Sequence, residues 1–174
     1  MRKIAFMVLL FSIGTYSQSE KAIDVFDAAR YGTVEQVKEL ELKKPDTINA
    51  ISPMGFTPLI LACYKGNKAV AAYLIPRVKD VDYTSSNGTA LAATVVKGNF
   101  DLARLLLENK ANPNLADSGG MTPLIYAIQF KNKEMVELLL KYNANKKLAD
   151  GAGKMPFEYA VFTKNQEIIN LFKN

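Results

Sequence analysis

An all-α solenoid of about five stacked helix-turn-helix units, joined by short hairpin loops, is the fold class that this 174-residue sequence predicts. Three observations predict it. A short motif recurs in a constant frame along the chain, glycine and asparagine punctuate that frame at constant phase, and the second helix of the third unit is too apolar to stand alone.

The recurrence comes first. Gly55-Phe56-Thr57-Pro58-Leu59-Ile60-Leu61-Ala62 returns 65 residues later as Gly120-Met121-Thr122-Pro123-Leu124-Ile125-Tyr126-Ala127. Asn87-Gly88-Thr89-Ala90-Leu91 lies between them, Gly153-Lys154-Met155-Pro156-Phe157-Glu158-Tyr159-Ala160 follows, and Phe26-Asp27-Ala28-Ala29-Arg30-Tyr31-Gly32 precedes, all in one register. A period of this size is the mark of a repeat array. The frame divides the chain into units at approximately 20–51, 52–83, 84–116, 117–149 and 150–174, which together form a domain over 20–174.

Within a unit, each segment has a physical reason. Threonine at 57, 89 and 122 suits a helix N-cap, and Pro58 and Pro123 suit the first turn, where no amide donor is needed. Nine residues after Thr57 and Thr89 stand Gly66 and Gly98, which close the first helix by entering the left-handed region. The second helix of the third unit contains Phe100, Leu102, Ala103, Leu105, Leu106 and Leu107, apolar around much of its circumference. Such a helix must be covered on two sides, and only the neighbouring units supply that cover. It stops in Asn109-Lys110-Ala111-Asn112-Pro113-Asn114, a turn-rich stretch echoed by Asn143-Ala144-Asn145.

The N-terminal residues predict something separate. Arg2 and Lys3 precede an apolar run from Ile4 to Ile13, followed by Gly14, Thr15, Tyr16 and Ser17, the layout of a signal peptide over 1–17 cleaved near Ser17. Such a ten-residue run rises about 15 Å as a helix, half the hydrocarbon thickness of a bilayer, so a stable membrane span is not expected. Removing Arg2 and Lys3 leaves 20 basic against 17 acidic groups, a mild charge scattered along the helices. That argues against nucleic acid as a partner. With no histidine and Cys63 as the single thiol, the inventory excludes imidazole-thiolate metal sites, Ser-His and Cys-His nucleophile pairs and an internal disulfide. No cofactor, metal site or catalytic residue is predicted. Carboxylate pairs at helical spacing, Asp24 with Asp27 and Glu134 with Glu137, read as solvated outer charges, which keeps a carboxylate-dependent hydrolase as a remote rival.

The repeated residues closely resemble the ankyrin-repeat family, whose unit reads G-x-T-P-L-H-x-A, then a glycine turn, a V-x-x-L-L helix and an A-x-x-N loop. The resemblance covers about Ala22 to Asn174. The family's histidine is replaced by Ile60, Ala92, Ile125 and Glu158, so its bond to the loop is missing, and Lys131 stands at the glycine position of the fourth unit. Pro76, directly after Leu74 and Ile75, should shorten the second unit's outer helix. The first unit lacks the Thr-Pro pair and the last ends soon after Leu171 and Phe172, so both read as caps.

The resemblance implies a protein-binding module without enzymatic activity, a monomer that grips its partner along a concave face. By register, that face takes Arg30, Tyr31, Tyr64, Lys65, Lys97, Gln129, Phe130 and Phe162 from the ends of the first helices. Met54, Phe56 and Met121 come from the hairpin tips, where Phe56 and Met121 are not required by the core pattern. Aromatic side chains with nearby cations are common interface anchors, and Lys65 and Lys97 suit an acidic, partly apolar partner surface. Cys63, in the small-residue row of a first helix, reads as a buried structural thiol. A periplasmic or secreted location follows from the N-terminal layout. An inhibitor or immunity protein directed at an exported toxin or enzyme is one form of this reading, and a self-associating structural module is its rival.

Overall fold

The computed structural model describes residues 23–173. The expected signal peptide at 1–17 lies outside the described residues. Among these, ten α-helices follow one another in pairs: α1 (Val25–Tyr31) with α2 (Val34–Lys43), α3 (Pro58–Lys65) with α4 (Lys68–Leu74), α5 (Ala90–Val96) with α6 (Phe100–Glu108), α7 (Pro123–Gln129) with α8 (Lys133–Lys141), and α9 (Pro156–Thr163) with α10 (Gln166–Asn170). First helices pack on first helices and second helices on second helices along the whole series. The molecule is therefore a two-layered solenoid, with its core running between the layers.

The expected caps are present. Thr57, Thr89 and Thr122 each accept the amide N–H three residues on, at 3.3, 3.2 and 3.3 Å. The second helices carry a cap that the sequence reading passed over: Asn67, Asn99, Asn132 and Asn165 each accept an amide N–H from the turn that follows. Asn67 also donates its side-chain amide to the carbonyls of Ala29 (3.2 Å) and Gly32 (2.9 Å), so one residue caps its own helix and bonds the preceding unit.

The first-helix ends follow the frame with one exception. Gly66 and Gly98 adopt left-handed backbone, as do Lys131 and Lys164 at the matching positions. Gly32 stays extended, with φ −87° and ψ −169°. Its glycine is required for space instead, since a Cβ there would lie 2.6 Å from Gln36 Oε1 and 2.8 Å from the Ala28 carbonyl oxygen. Pro76 acts as predicted: α4 has 7 residues against 9 in α6 and α8. The first unit ends in a 3-10 turn, Pro45–Asn49, and the last second helix is reduced to 5 residues.

Packing bears out the need for neighbours. Leu102, Ala103, Leu106 and Leu107 of α6 are all buried, and Met135, Val136 and Leu139 of α8 are fully so. At roughly 25 cal/mol per Å² of apolar surface, each such Leu contributes about 2 kcal/mol by leaving water, a gain that exists only once the adjacent unit is in place. Polar bonds repeat the same logic in the loops. Asn49, Asp82 and Asn114 use a side-chain oxygen to accept the backbone N–H of Lys79 (2.8 Å), Asn112 (2.8 Å) and Asn145 (2.7 Å), each in the following unit.

Candidate interaction groove

The groove is assembled from the C-terminal ends of the first helices and from the hairpin tips. Each tip is closed by backbone bonds, as in Ser52 with Phe56 and Asp117 with Met121, and successive tips are joined by Ser118 N–H to Ser86 O (3.1 Å) and Gly151 N–H to Gly119 O (2.8 Å). In the last two tips an aspartate does more. Asp117 Oδ1 accepts the amides of Gly119 (2.8 Å) and Met121 (2.9 Å) while its Oδ2 accepts the Tyr126 hydroxyl. Asp150 repeats the arrangement with Ala152, Lys154 and Tyr159. The tethering of loop to helix that the missing histidine would have supplied is thus performed by a tyrosine one position later. The signal was available in the constant spacing of Asp117 to Tyr126 and Asp150 to Tyr159. The second and third units have serine at the aspartate position and Leu61 and Ala93 at the tyrosine position, and their tips are closed by the Ser52 and Ser85 hydroxyls.

These pairings set the electrostatics. The hydrogen bond from Tyr159 holds Asp150 below the usual carboxylate range, helped by the Lys154 amide. The Tyr159 hydroxyl is raised to about 12, first by that bond and then by burial. Tyr126 is also raised to about 12, chiefly by burial and then by its bond to Asp117.

The register-selected residues fall into two groups. Tyr31, Tyr64, Lys65 and Lys97 come together: the Lys65 ammonium sits 5.3 Å from the Tyr31 ring centre and 6.0 Å from that of Tyr64, and Lys97 sits 4.3 Å from Tyr64. Tyr31 is 71% exposed and Tyr64 46%. Gln129 and Phe162 line a second feature with Lys131, Lys154, Tyr159 and Thr163, a pocket of about 400 Å³ between the fourth and fifth units. Lys154 packs over both Tyr159 (4.1 Å) and Phe162 (4.9 Å). Phe130, at the end of α7, is exposed, as is Met54 on the first tip.

Three residues differ from their expected setting. Phe56 is half-buried against the hydrophobic core, because the tip folds back and its carbonyl accepts the Ser52 amide. Met121 is half-buried, its sulfur 3.8 Å from the Tyr159 hydroxyl. Arg30 is turned to Asp27 in an ion pair at 2.9 Å.

Elsewhere, Cys63 is fully buried and its thiol is pushed up to about 12 by desolvation, an environment that suppresses the nucleophilic thiolate. Of the carboxylate pairs, Asp24 caps α1 through the Asp27 amide and Asp27 pairs with Arg30. Glu134 and Glu137 line a pocket of about 550 Å³ between α6 and α8 on the opposite, outer layer, beside Arg104 and Lys141. Among the described residues no helix is long and apolar enough to cross a membrane, and no group of His, Cys, Asp and Glu is arranged to hold a metal ion.

Comparison with known sequences decides the family. The pattern described as ankyrin repeats, in three copies, matches residues 25–117 and again 97–174. The chain belongs to the ankyrin-repeat family. This ankyrin-repeat chain is 29% identical over 107 residues to the mouse ankyrin repeat and SAM domain-containing protein 6, covering 60% of the chain and 12% of that protein. It is 39% identical over 74 residues to the mouse protein fem-1 homolog A-like, covering 42% of the chain and 11% of that protein. An ankyrin repeat-containing protein of Treponema pallidum (strain Nichols) is 35% identical over 99 residues, 50% of the chain and 33% of the relative. The ankyrin chain thus spans a tenth to a third of the length of these relatives, and the likeness lies in the repeats.

Proposed function

We propose that the chain is a protein-binding module that acts outside the cytoplasm and holds its partner along the groove, binding without catalysing. Ankyrin repeats in general serve protein-protein interaction. The observation that carries the reading here is the set of exposed aromatic side chains at the ends of four of the five first helices, Tyr31, Tyr64, Phe130 and Phe162, at the two positions before the helix-ending turn, with Lys65 and Lys97 packed on Tyr31 and Tyr64. A folded protein leaves several large rings in water on one side at a cost, and rings with adjacent cations are the side chains that interfaces use as anchors. The basic, apolar and small-residue sequence at 1–17 supports export to a periplasmic or secreted location.

The test compares the full chain with a variant in which Tyr31, Tyr64, Phe130 and Phe162 are changed to serine. Both are used as bait on the extracytoplasmic fraction of the source cells, beside a Glu134→Gln control on the outer layer. The wild type and control should retain the same partner and the groove variant should lose it. Retention by a folded groove variant would place the interface elsewhere. An exported product starting near residue 18, read by mass, is the expected result for location.

A further inference from the structure

Acidic residues are sparse along the middle of the groove side: α3, α5 and α7 contain no Asp or Glu, and the first helices at the two ends carry one each, Asp27 in α1 and Glu158 in α9, whereas α2 carries Glu35, Glu39 and Glu41 and α8 carries Glu134 and Glu137. On the groove side, the aspartates of the tips are saturated by amides and tyrosine hydroxyls. The ammoniums of Lys65, Lys97 and Lys154 rest on aromatic faces, and none of the ion pairs formed among the described residues includes them. A ring face positions an ammonium but leaves N–H donors for an anion.

We propose, building on the protein-binding reading, that the groove receives an extended acidic segment of its partner. Lys65 and Lys97 flank the same Tyr64 ring, 6.0 and 4.3 Å from its centre, which keeps the two ammoniums within about 10 Å of each other, the rise of three residues in an extended chain. Carboxylates two residues apart, which share one face of an extended chain at about 7 Å, meet both. The pocket between the fourth and fifth units takes an apolar side chain of the segment against Tyr159 and Phe162, with Lys131 and Lys154 at its rim for a flanking carboxylate. Single-stranded nucleic acid also uses aromatic rings with cations, so an oligothymidine serves as the competing ligand in the test.

The test uses the full chain and a fluorescein-labelled peptide of about 12 residues, built from Glu-Glu-Phe blocks, which extends about 40 Å and so reaches across the stacked units. The probes beside it are the same peptide with every Glu replaced by Gln and an oligothymidine of similar length. The acidic peptide should bind at least tenfold tighter than either, weaken as salt rises, and lose about fivefold in affinity for each of Lys65→Gln and Lys97→Gln, but not for Lys133→Gln on the outer layer. Lys97→Arg should keep the affinity. Equal binding of the Gln peptide, tighter binding of oligothymidine, or indifference to the Lys65 and Lys97 changes would overturn the acidic-segment proposal. If that happens while the serine variant still loses its partner, the groove stands as an interface for a different chemistry. If the serine variant keeps its partner, the groove reading itself fails.

Discussion

The hydroxyl of Tyr159 donates to Asp150 Oδ2 at 2.5 Å, and Tyr126 repeats the bond to Asp117 at the same distance one unit earlier. Each bond ties the tip of a hairpin to the helix behind it, and each ends on an ionisable partner.

Stability should therefore fall at both pH extremes. Asp150 has its folded pKa depressed, so its contribution is present above the ordinary carboxylate range and is lost as pH falls through it. The two tyrosines have folded pKa values raised from 10.0 to about 12, so their contribution is complete below 10 and is lost as pH rises toward 12. Urea midpoints measured across pH should decline in both windows. Tyr126→Phe with Tyr159→Phe should flatten the alkaline decline, and tyrosinate absorbance should show those two rings titrating late.

Gly120 combines two constraints. Its φ is +78°, and a Cβ there would lie 2.3 Å from the Gly151 amide nitrogen. Gly55 shares the φ of +78° but faces open space. Gly55→Ala should cost about 1 kcal/mol, the backbone strain alone, and Gly120→Ala clearly more, about 2–4 kcal/mol, because the adjoining tip must move. Chemical denaturation of the pair separates strain from collision. Equal losses would show that the tip contact between the fourth and fifth units is not held in solution.

The asparagine caps should be unequal. Asn165→Ala removes a cap from α10 and should cost about 1 kcal/mol. Asn67→Ala removes a cap and also leaves the Ala29 and Gly32 carbonyls without that donor, so a loss of about 2–3 kcal/mol is expected in the same denaturation assay. The first unit should also exchange its amides faster in the Asn67 variant, visible by hydrogen exchange.

Cys63 should resist a maleimide or disulfide reagent in the native protein at neutral pH and react promptly in urea. Its burial and raised pKa both disfavour the thiolate. Native labelling as fast as that of a free thiol would contradict the packing of α3 against its neighbours.

What could be read from the chain alone was whatever is encoded within about ten residues and then repeated. Thr57, Thr89 and Thr122 announced the first helices, Gly66 and Gly98 their ends, and Pro76 the shortened α4. Even Lys131 in a glycine position was visible, although its left-handed backbone was not. The order of the units followed, because a helix as apolar as α6 has no alternative to neighbours on both sides.

The tertiary structure decided everything that depends on which unit lies beside which. That Asn67 bonds back to Ala29, that Asn49, Asp82 and Asn114 bridge to the next unit, and that Lys97 lies on Tyr64 are contacts between residues roughly a repeat length apart, set by the offset and rotation between stacked hairpins. Phe56 shows the same division. Its place in the motif was plain, but whether its ring faced water or the core depended on how the tip folded back. Local sequence dictates each hairpin because caps and turns act over a few bonds; the groove exists only when hairpins stack, since each unit supplies one helix end and one tip to it.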